Sequence, residues 1–523
     1  MNRKKINVYK KRIEQLIGDE KFSRLGRTFQ TKQFKYYYDT GTGKVFRIKE
    51  DIFLILQSLI KTDTFDDIFT LGINENEILE ALEELFAAVD KENILKAFPV
   101  IELSGRHIYD LEKLLKHKRN QILLEVTEDC NMRCKYCLYH YGKSAFRGFG
   151  YQEMTFEVAK KAIDQLMDET DRDNIFVSFY GGEPLLKYDL IKECISYCQE
   201  KYSNRPIVYS MTTNATLITK EVASYLSNVG VLITVSLDGP ASVHDKYRVF
   251  GDGSGSFGKA LTGLKCLVDA YKDEADKRLM INSVVTDYDE ETLIKTQEFF
   301  NTLDWLPKGI NHMSSYVDEG PEAVEYEGID SDYEEKVRGL SDNDERAFIP
   351  IENWGSKKAR NGSSEELEFE SLAREGLNKR LFTIHRRLLC DTPVQKYGFN
   401  GCCVPGEKKV YVTAKGSYLV CEKMGPSPDI GNVYSGIDVE KIREFYVERF
   451  RKEAVKYCKN CWAINLCTLC YTDCYIEDDI NLNNRHRTCE LHRISIEKVL
   501  ALYHHILEKA PKSLEFLNEY EIL

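Results

Sequence analysis

Three cysteines stand close together in Cys130-Asn131-Met132-Arg133-Cys134-Lys135-Tyr136-Cys137. Three thiolates on one short loop can ligate three irons of a [4Fe–4S] cluster, for which four cysteines are the usual full set. A missing fourth ligand leaves one iron open, much as a catalytic zinc site keeps an open position. The same spacing also suits a zinc loop or incidental core cysteines. Farther along, Gly181-Gly182-Glu183-Pro184 joins two glycines, which let a backbone approach a partner closely, to a carboxylate suited to an ammonium group. Alone, that string reads as a turn. Arg248 carries a fork matched to a carboxylate, with a surface salt bridge as its plain alternative. Ten of the sixteen cysteines lie between 390 and 489: Cys390, Cys402, Cys403, Cys421, Cys458, Cys461, Cys467, Cys470, Cys474 and Cys489. Clustered thiols in a reducing compartment point to metal rather than disulfides, and a four-cysteine zinc ribbon is the rival reading. Cys194, Cys198 and Cys266 fall on predicted helices and read as buried thiols.

These residues must be positioned by the elements around them. Runs at 122–126, 175–179, 207–211, 232–236 and 279–285 read as buried strands. Amphipathic helices are expected near 155–167, 187–201, 219–228, 257–271 and 290–303. Such alternation implies parallel βαβ units and an α/β barrel or open sheet over 119–316. Each strand ends where a candidate residue begins, which is where parallel α/β folds place their functional groups. Ahead of it, 34–38 and 44–48 flank Asp39-Thr40-Gly41-Thr42-Gly43 and predict a β-hairpin. Two helices follow, marked by Ile52, Ile55, Leu56 and Leu59 and by Ile78, Leu82, Leu85, Phe86 and Val89, and a short strand is expected at 100–103. Residues 1–118 thus form an N-terminal domain without obvious catalytic groups. An acidic insertion and bridging helix take up 317–389. The cysteine-rich region, 390–523, closes with a helix near 494–508. No repeat of 20–50 residues is present.

The chain has 523 residues, which implies several domains. Its net charge is −12, and 12 acidic and 3 basic residues between Asp318 and Arg346 concentrate most of that charge. An acidic chain argues against general nucleic-acid binding. The segment itself reads as a solvated insertion, or as a surface that attracts a basic peptide. No secretory signal and no apolar run of about 18 residues are seen, so no membrane span is expected and the default compartment is cytoplasmic.

The first cysteine loop resembles the hallmark of the radical SAM superfamily, C-x-x-x-C-x-Φ-C with an aromatic before the last cysteine. The resemblance implies a partial (β/α)6 TIM-type barrel. It also implies that Cys130, Cys134 and Cys137 hold a [4Fe–4S] cluster that cleaves S-adenosylmethionine. Tyr136 would lie near the adenine. Gly181, Gly182 and Glu183 are similar to the family motif that binds the cofactor's amino group. By the same resemblance Ser236 contacts the ribose or methionyl part, Asn214 lies nearby, Asn282 reaches toward the ribose and Arg248 pairs with the cofactor's carboxylate.

The later cysteines resemble the SPASM domain, which binds two auxiliary [4Fe–4S] clusters, giving three clusters in all. Cys403, twelve residues, Gly416, four residues and Cys421 fit the family pattern, as does Cys458-x2-Cys461-x5-Cys467. The next cysteine departs from it: the pattern calls for position 471, which is Tyr471, whereas Cys470 comes one residue early and Cys474 three late. The resemblance implies a distal set of Cys458, Cys461, Cys467 and Cys489. The proximal set would be Cys403, Cys421, Cys470 and one of Cys390 or Cys402. With only three cysteines, that proximal cluster would offer an open iron to a substrate thiolate.

Together the three regions resemble maturases of ribosomally made peptides. The first looks like their PqqD-like, winged-helix-like leader-binding module, which captures a leader as an added strand; the hairpin at 34–48 would supply the edge. The run 461–471 looks most like the thioether-forming, sactipeptide branch. Hydrogen abstraction from an α-carbon, followed by thiolate attack, would give sactionine cross-links in a Cys-rich precursor peptide. A flavodoxin or ferredoxin would donate electrons. A carbon–carbon cross-linking or epimerising maturase, an anaerobic sulfatase-maturating enzyme and a zinc-bound peptide-binding module are the rival readings. Tyr139, His140 and Asp318 are candidate general bases among which the sequence does not choose.

Overall fold

The computed structural model describes residues 2–116, 119–137, 139, 150–285, 290–316, 380–399, 401–472, 474–476 and 479–519. The acidic insertion, His140 and Asp318 lie outside the described residues.

Helix α1 (Asn2–Ile17) opens the chain and buries Ile6 and Ile13, seven residues apart on one face. Strands β1 (Gly26–Gln30), β2 (Lys35–Asp39) and β3 (Val45–Ile48) form an antiparallel sheet with β2 in the middle. The expected hairpin is β2–β3. The sequence reading contains neither α1 nor β1. Helices α2 (Glu50–Thr62) and α3 (Glu75–Glu92) follow, the latter opened by a capping box between Asn74 and Glu77. The run Tyr36-Tyr37-Tyr38 shows why β2 carries three aromatic residues in a row. Successive strand residues face opposite sides. Tyr37 packs with Ile6, Ile55, Leu82 and Phe86 of helices α1, α2 and α3. Tyr36 and Tyr38 join Phe29 in a second buried cluster with Trp462, Leu500 and Tyr503 from the far end of the chain. Both faces are therefore core. Strand β4 (Leu103–Ser104) is shorter and later than the strand expected at 100–103.

Strands β5 (Gln121–Thr127), β6 (Ile175–Gly181), β7 (Ile207–Thr213), β8 (Leu232–Ser236), β9 (Leu279–Val285) and β10 (Asn311–Tyr316) lie side by side in sequence order, all parallel. The helices Phe156–Glu169, Tyr188–Lys201, Lys220–Val229, Phe257–Tyr271 and Glu290–Asn301 connect them, close to the expected spans. The result is a mostly parallel central sheet of the partial-barrel kind. Its apolar strands meet the helices in one core in which Leu124, Val177, Phe179, Ile163 and Leu166 are fully buried. Each such side chain contributes roughly 1.5–3 kcal/mol by leaving water. Thr155 and Thr219 cap two of the helices by accepting from the backbone N–H groups of Val158 and Val222.

Strand β11 (Tyr397–Gly398) pairs in parallel with β4. Strand β12 (Lys409–Val412) lies parallel to β5 at the sheet's other edge, and β13 (Tyr418–Leu419) runs antiparallel to β12. The cysteine-rich region therefore extends the central sheet rather than standing apart from it. Glu125, buried in β5, accepts from the Tyr411 hydroxyl at 2.7 Å and from the Ala414 N–H at 3.1 Å, fastening the two regions together. The closing helix, Leu482–Lys509, begins earlier than the expected 494. Among the described residues no helix is long and apolar enough to cross a membrane.

Candidate functional site

The first cysteine loop leaves the C-terminal end of β5 and is held from two sides. On one side, the Gly182 and Glu183 N–H groups donate to the carbonyls of Thr127 and Asp129, both at 2.9 Å. The glycines are required there. A Cβ on Gly181 would fall 2.1 Å from the Thr127 carbonyl oxygen, and one on Gly182 2.1 Å from that of Asp129. Gly181 also has φ of 138°, a left-handed value that suits glycine alone. On the other side, the Arg133 and Lys135 N–H groups donate to the carbonyls of Val249 and Tyr247 at 2.7 and 2.9 Å. The backbone thus clamps Cys130, Cys134 and Cys137 between the end of β6 and the segment after β8. Burial pushes the Cys130 thiol up to about 12 and the Cys137 thiol up to about 11, and raises that of Cys134. A bound metal reverses that preference by favouring thiolate.

Glu183 is 1 % exposed. Its carboxylate accepts from Thr213 Oγ1 at 2.7 Å, the Asn214 N–H at 2.8 Å and the Leu185 N–H at 3.1 Å. Burial raises its pKa and these donors oppose the rise. A carboxylate has about four lone-pair sites, so one remains for a further donor. The Asn214 side chain is turned to the cysteine loop, donating to Asn131 Oδ1 at 2.9 Å and accepting from Thr216. Asn131 in turn donates to Thr216 Oγ1 at 2.8 Å. Asn214 therefore fixes the loop's second residue.

Tyr136, Asp238 and Arg248 form a buried cluster. The Tyr136 hydroxyl donates to Asp238 Oδ2 at 2.6 Å, and Arg248 Nη1 donates to that hydroxyl at 2.7 Å. Arg248 and Asp238 approach to 3.9 Å. Burial works against the Arg248 charge, but Tyr136, Cys134 and Asp238 around it hold its pKa well above the ordinary value. Behind the cluster lies His244, fully buried. Its Nδ1 accepts from the Asp238 N–H at 3.3 Å, which leaves Nε2 to donate to Ser256 Oγ at 3.0 Å. Ser256 passes a hydrogen bond to the Arg248 carbonyl at 2.8 Å. One neutral imidazole thereby locates the backbones of both Asp238 and Arg248. Ser236 ends β8 opposite Asn282 of β9, and the Leu237 N–H donates to the Asn282 carbonyl at 3.1 Å.

The donor set suits an S-adenosylmethionine-binding cluster site. Three half-buried cysteines stand at a strand-end site, a carboxylate retains one acceptor position, and Arg248 Nε is buried without a hydrogen-bond partner. Among the described residues no three His, Cys, Asp or Glu side chains converge as they would around one metal ion.

In the second field, Cys458, Cys461, Cys467 and Cys489 are all electrostatic neighbours of one another. Cys403 and Cys421 each neighbour Cys470. Cys402 neighbours Cys467, Cys470 and Cys474. Cys474 is fully buried and its thiol donates to the Cys470 carbonyl at 3.4 Å. The Cys390 N–H donates to the Thr42 carbonyl at 2.9 Å, which ties that residue to the N-terminal hairpin. Arg485, donating to the Leu469 carbonyl at 3.1 Å, neighbours Cys402, Cys458, Cys467 and Cys474. Arg493 hydrogen-bonds Cys461 and pairs with Glu490. Positive charge among grouped thiolates suits an anionic iron–sulfur cluster. Tyr139, two residues beyond the first loop, donates to the Glu422 carbonyl at 3.4 Å, bringing that loop to the neighbourhood of Cys421.

Sequence reasoning assigns no role to Asn131, Asp238, His244, Arg485 or Arg493. Asp238 carried a usable signal, because it closely follows a predicted strand end. The others act through partners distant in sequence.

Residues 124–300, which carry most of β5 and all of β6–β9, match the model of the Radical SAM superfamily. The cysteine-type anaerobic sulfatase-maturating enzyme of Clostridium novyi is 31% identical over 191 residues, which cover 36% of this chain and 49% of that enzyme. The radical SAM cyclopropyl synthase TigE of Paramaledivibacter caminithermalis is 26% identical over 278 residues, covering 50% of this chain and 56% of that protein. The chain spans about half the length of the curated relatives it matches. The solved structure of polyhistidine-tagged anSMEcpe with bound AdoMet aligns over 76% of this chain and 98% of that one, at TM-score 0.50 and 21% identity, a likeness of fold.

Proposed function

We propose that the chain is a radical SAM peptide maturase that takes a hydrogen from a ribosomally made precursor and joins a cysteine sulfur to an α-carbon. One observation carries the reading. A three-cysteine loop, a glutamate with one open acceptor position and a buried arginine meet at the strand ends, and Tyr139 links that loop to the residue beside Cys421. When bound, the cluster and S-adenosylmethionine supply a 5′-deoxyadenosyl radical able to abstract hydrogen from an unactivated carbon. The residues do the holding. Cys130, Cys134 and Cys137 ligate three irons. Gly181 and Gly182 bring backbone close, Glu183 takes the cofactor's ammonium, and Arg248 Nε faces its carboxylate. Ser236 lies at the same strand ends. Cys458, Cys461, Cys467 and Cys489 hold one auxiliary cluster, and Cys403, Cys421 and Cys470, with Cys402 beside them, hold the other.

The N-terminal sheet is the proposed leader-binding module. Since β2 is paired on both sides, β3 rather than β2 offers the edge. Among the described residues no backbone hydrogen bond leaves the outer side of β3. Leader affinity is best measured on the full chain, because removing residues 1–118 would bare Trp462, Leu500 and Tyr503.

The sulfatase-maturase reading is favoured by the Clostridium novyi relative and by a serine-type enzyme of Bacteroides thetaiotaomicron, 29% identical over 176 residues. The cyclopropyl synthase supports a carbon–carbon-forming alternative. One assay separates them. Reconstituted protein is incubated anaerobically with S-adenosylmethionine, a reductant and either a Cys-rich precursor encoded beside the gene or a sulfatase-derived Cys or Ser peptide. Loss of two hydrogens per cross-link, with fragmentation placing sulfur on an α-carbon, supports the thioether reading. A carbon–carbon link, or an aldehyde formed only on the sulfatase peptide, rejects it. Zinc without sulfide in the purified protein rejects the radical SAM reading itself.

A further inference from the structure

Strand β12 carries a charge on the inner face of the central sheet. Leu124, Val177 and Phe179 share the outer core with helix residues Ile163 and Leu166. Successive strand residues alternate in direction, so Glu125, Ser178 and Tyr180 turn to the inner face. The Tyr411 hydroxyl reaches Glu125 at 2.7 Å, which puts Tyr411 on that face too, and Lys409, two residues earlier, shares it. Lys409 lies in register with Gln121, whose amide donates to Ser178 Oγ at 3.0 Å. It therefore sits at the opposite end of β5 from the Cys130 loop. The Lys409 ammonium donates to Glu422 Oε2 at 2.8 Å. Burial works against the Lys409 charge, but Glu422, Cys421 and Cys403 hold its pKa above the ordinary lysine value. Burial raises the Cys403 and Cys421 thiols; Lys409 pulls both down, and Glu422 pushes both up. One ion pair thus faces the proximal cysteines with two opposed charges.

We propose that Lys409 is a positioning residue that acts through the proximal cluster: from the inner face of the sheet its fixed positive charge biases the cluster held by Cys403, Cys421 and Cys470 toward the reduced state. The inference rests on reading those cysteines as an auxiliary cluster site. Reduction adds negative charge to an anionic cluster, and a nearby ammonium stabilises the added charge. Glu422 opposes it, so the two members of the pair pull the potential in opposite directions. The bias has a use in the thioether reading. When a carbon radical and a thiolate join, one carbon–sulfur bond forms and one electron leaves; an oxidised iron–sulfur cluster gains that electron. Lys409 lies on the same face of the sheet as Glu125 and Tyr411, and the Tyr139 hydroxyl, from beyond the first loop, donates to the Glu422 carbonyl at 3.4 Å. The charge therefore stands where the first cysteine loop meets the proximal set.

The test uses the full, iron-loaded chain, titrated with dithionite in the presence of redox mediators and followed by paramagnetic resonance. The signal lost in Cys470→Ala identifies the proximal cluster. Lys409→Met is expected to lower the midpoint potential of that cluster. The ratio of reduced to oxidised cluster should fall about tenfold at a fixed potential, roughly 59 mV for a one-electron couple. Glu422→Gln should raise the potential, and Lys409→Arg should keep the wild-type value. Opposite shifts from the two halves of one ion pair mark a charge effect, whereas loss of a merely structural contact would move both variants the same way. An unchanged potential in Lys409→Met with full iron and sulfide, or shifts of the same sign in the two variants, overturns the role of Lys409. Should Lys409→Met fail to fold, Glu422→Gln decides alone: a potential that stays or falls overturns the inference. Iron and sulfide short of three clusters in the wild-type chain defeats the cluster reading beneath the proposal; full content with charge-insensitive potentials defeats only the role of Lys409.

Discussion

The Tyr136 hydroxyl donates to Asp238 Oδ2 across 2.6 Å, tying the cysteine loop after β5 to the end of β8. The loop's only aromatic residue is thus a bracket as well as an expected neighbour of adenine. Tyr136→Phe keeps the ring and removes the bracket. A hydrogen bond to a buried charge contributes about 1.5–3 kcal/mol, so thermal unfolding should begin several degrees lower. Calorimetry should also show weaker S-adenosylmethionine binding, since Arg248 loses an acceptor. Unchanged melting and unchanged affinity together would leave the tyrosine a ring alone.

Glu183→Gln is expected to be costly despite its small size. The carboxylate accepts three hydrogen bonds, and the amide nitrogen of glutamine would face at least one of those donors. An unsatisfied buried polar group costs about 1–3 kcal/mol. Denaturant unfolding measures that loss, and S-adenosylmethionine affinity should fall with it. A variant that binds the cofactor like wild type would remove Glu183 from the ammonium role.

Acid should loosen the Arg248 bracket through His244. Burial, with help from Arg248, lowers the His244 pKa to about 3. The unfolded chain therefore takes up a proton near the ordinary histidine value while the folded chain does not. Stability falls as pH drops from about 6.5 toward about 3, by about 1.4 kcal/mol per pH unit for one such group. His312, held low by burial to about 3, acts in the same direction. His244→Gln should flatten the part of the stability–pH curve due to this residue, measured by urea titration between pH ~4 and ~7. An unaltered slope would show that the imidazole is not kept neutral.

Cys470 and Cys474 should behave differently. Cys470 neighbours Cys403 and Cys421, whereas Cys474 is wholly buried beside Cys470's own carbonyl. Cys470→Ala is expected to lower iron content by up to one cluster and to alter the paramagnetic resonance spectrum of the reduced protein. Cys474→Ala should keep the iron and lose about 1 kcal/mol or more of stability through packing. The opposite pattern would reassign the ligand.

The sequence made the barrel largely legible because buried parallel strands are apolar runs and their helices are amphipathic. Strand β10, Asn311-His312-Met313-Ser314-Ser315-Tyr316, carries too few apolar residues to stand out. Helix α1 buries only Ile6 and Ile13 beneath a basic surface, so its pattern was faint. The site divided along the same line. Cysteine spacing and the Gly-Gly-Glu turn are local and were readable. Asp238 and His244 depend on partners brought by the fold, Tyr136 in one case and the Arg248 segment in the other. The choice between Cys470 and Cys474 was hidden for a different reason: one residue of spacing departs from the pattern, and only neighbours in space discriminate.

The pairing of β12 with β5 bears on how the chain is made. Gln121 lies opposite Lys409, so the strand that opens the barrel sheet is completed only when about 290 further residues have emerged. At a synthesis rate of about 5–20 residues per second, that edge waits roughly a quarter of a minute to a minute. During the wait Glu125 lacks the Tyr411 hydroxyl and the Ala414 N–H, and an open strand edge invites pairing with other chains. Slow translation or scarce chaperone capacity should therefore be felt first as aggregation of nascent protein, before most cysteines of the second field have been made.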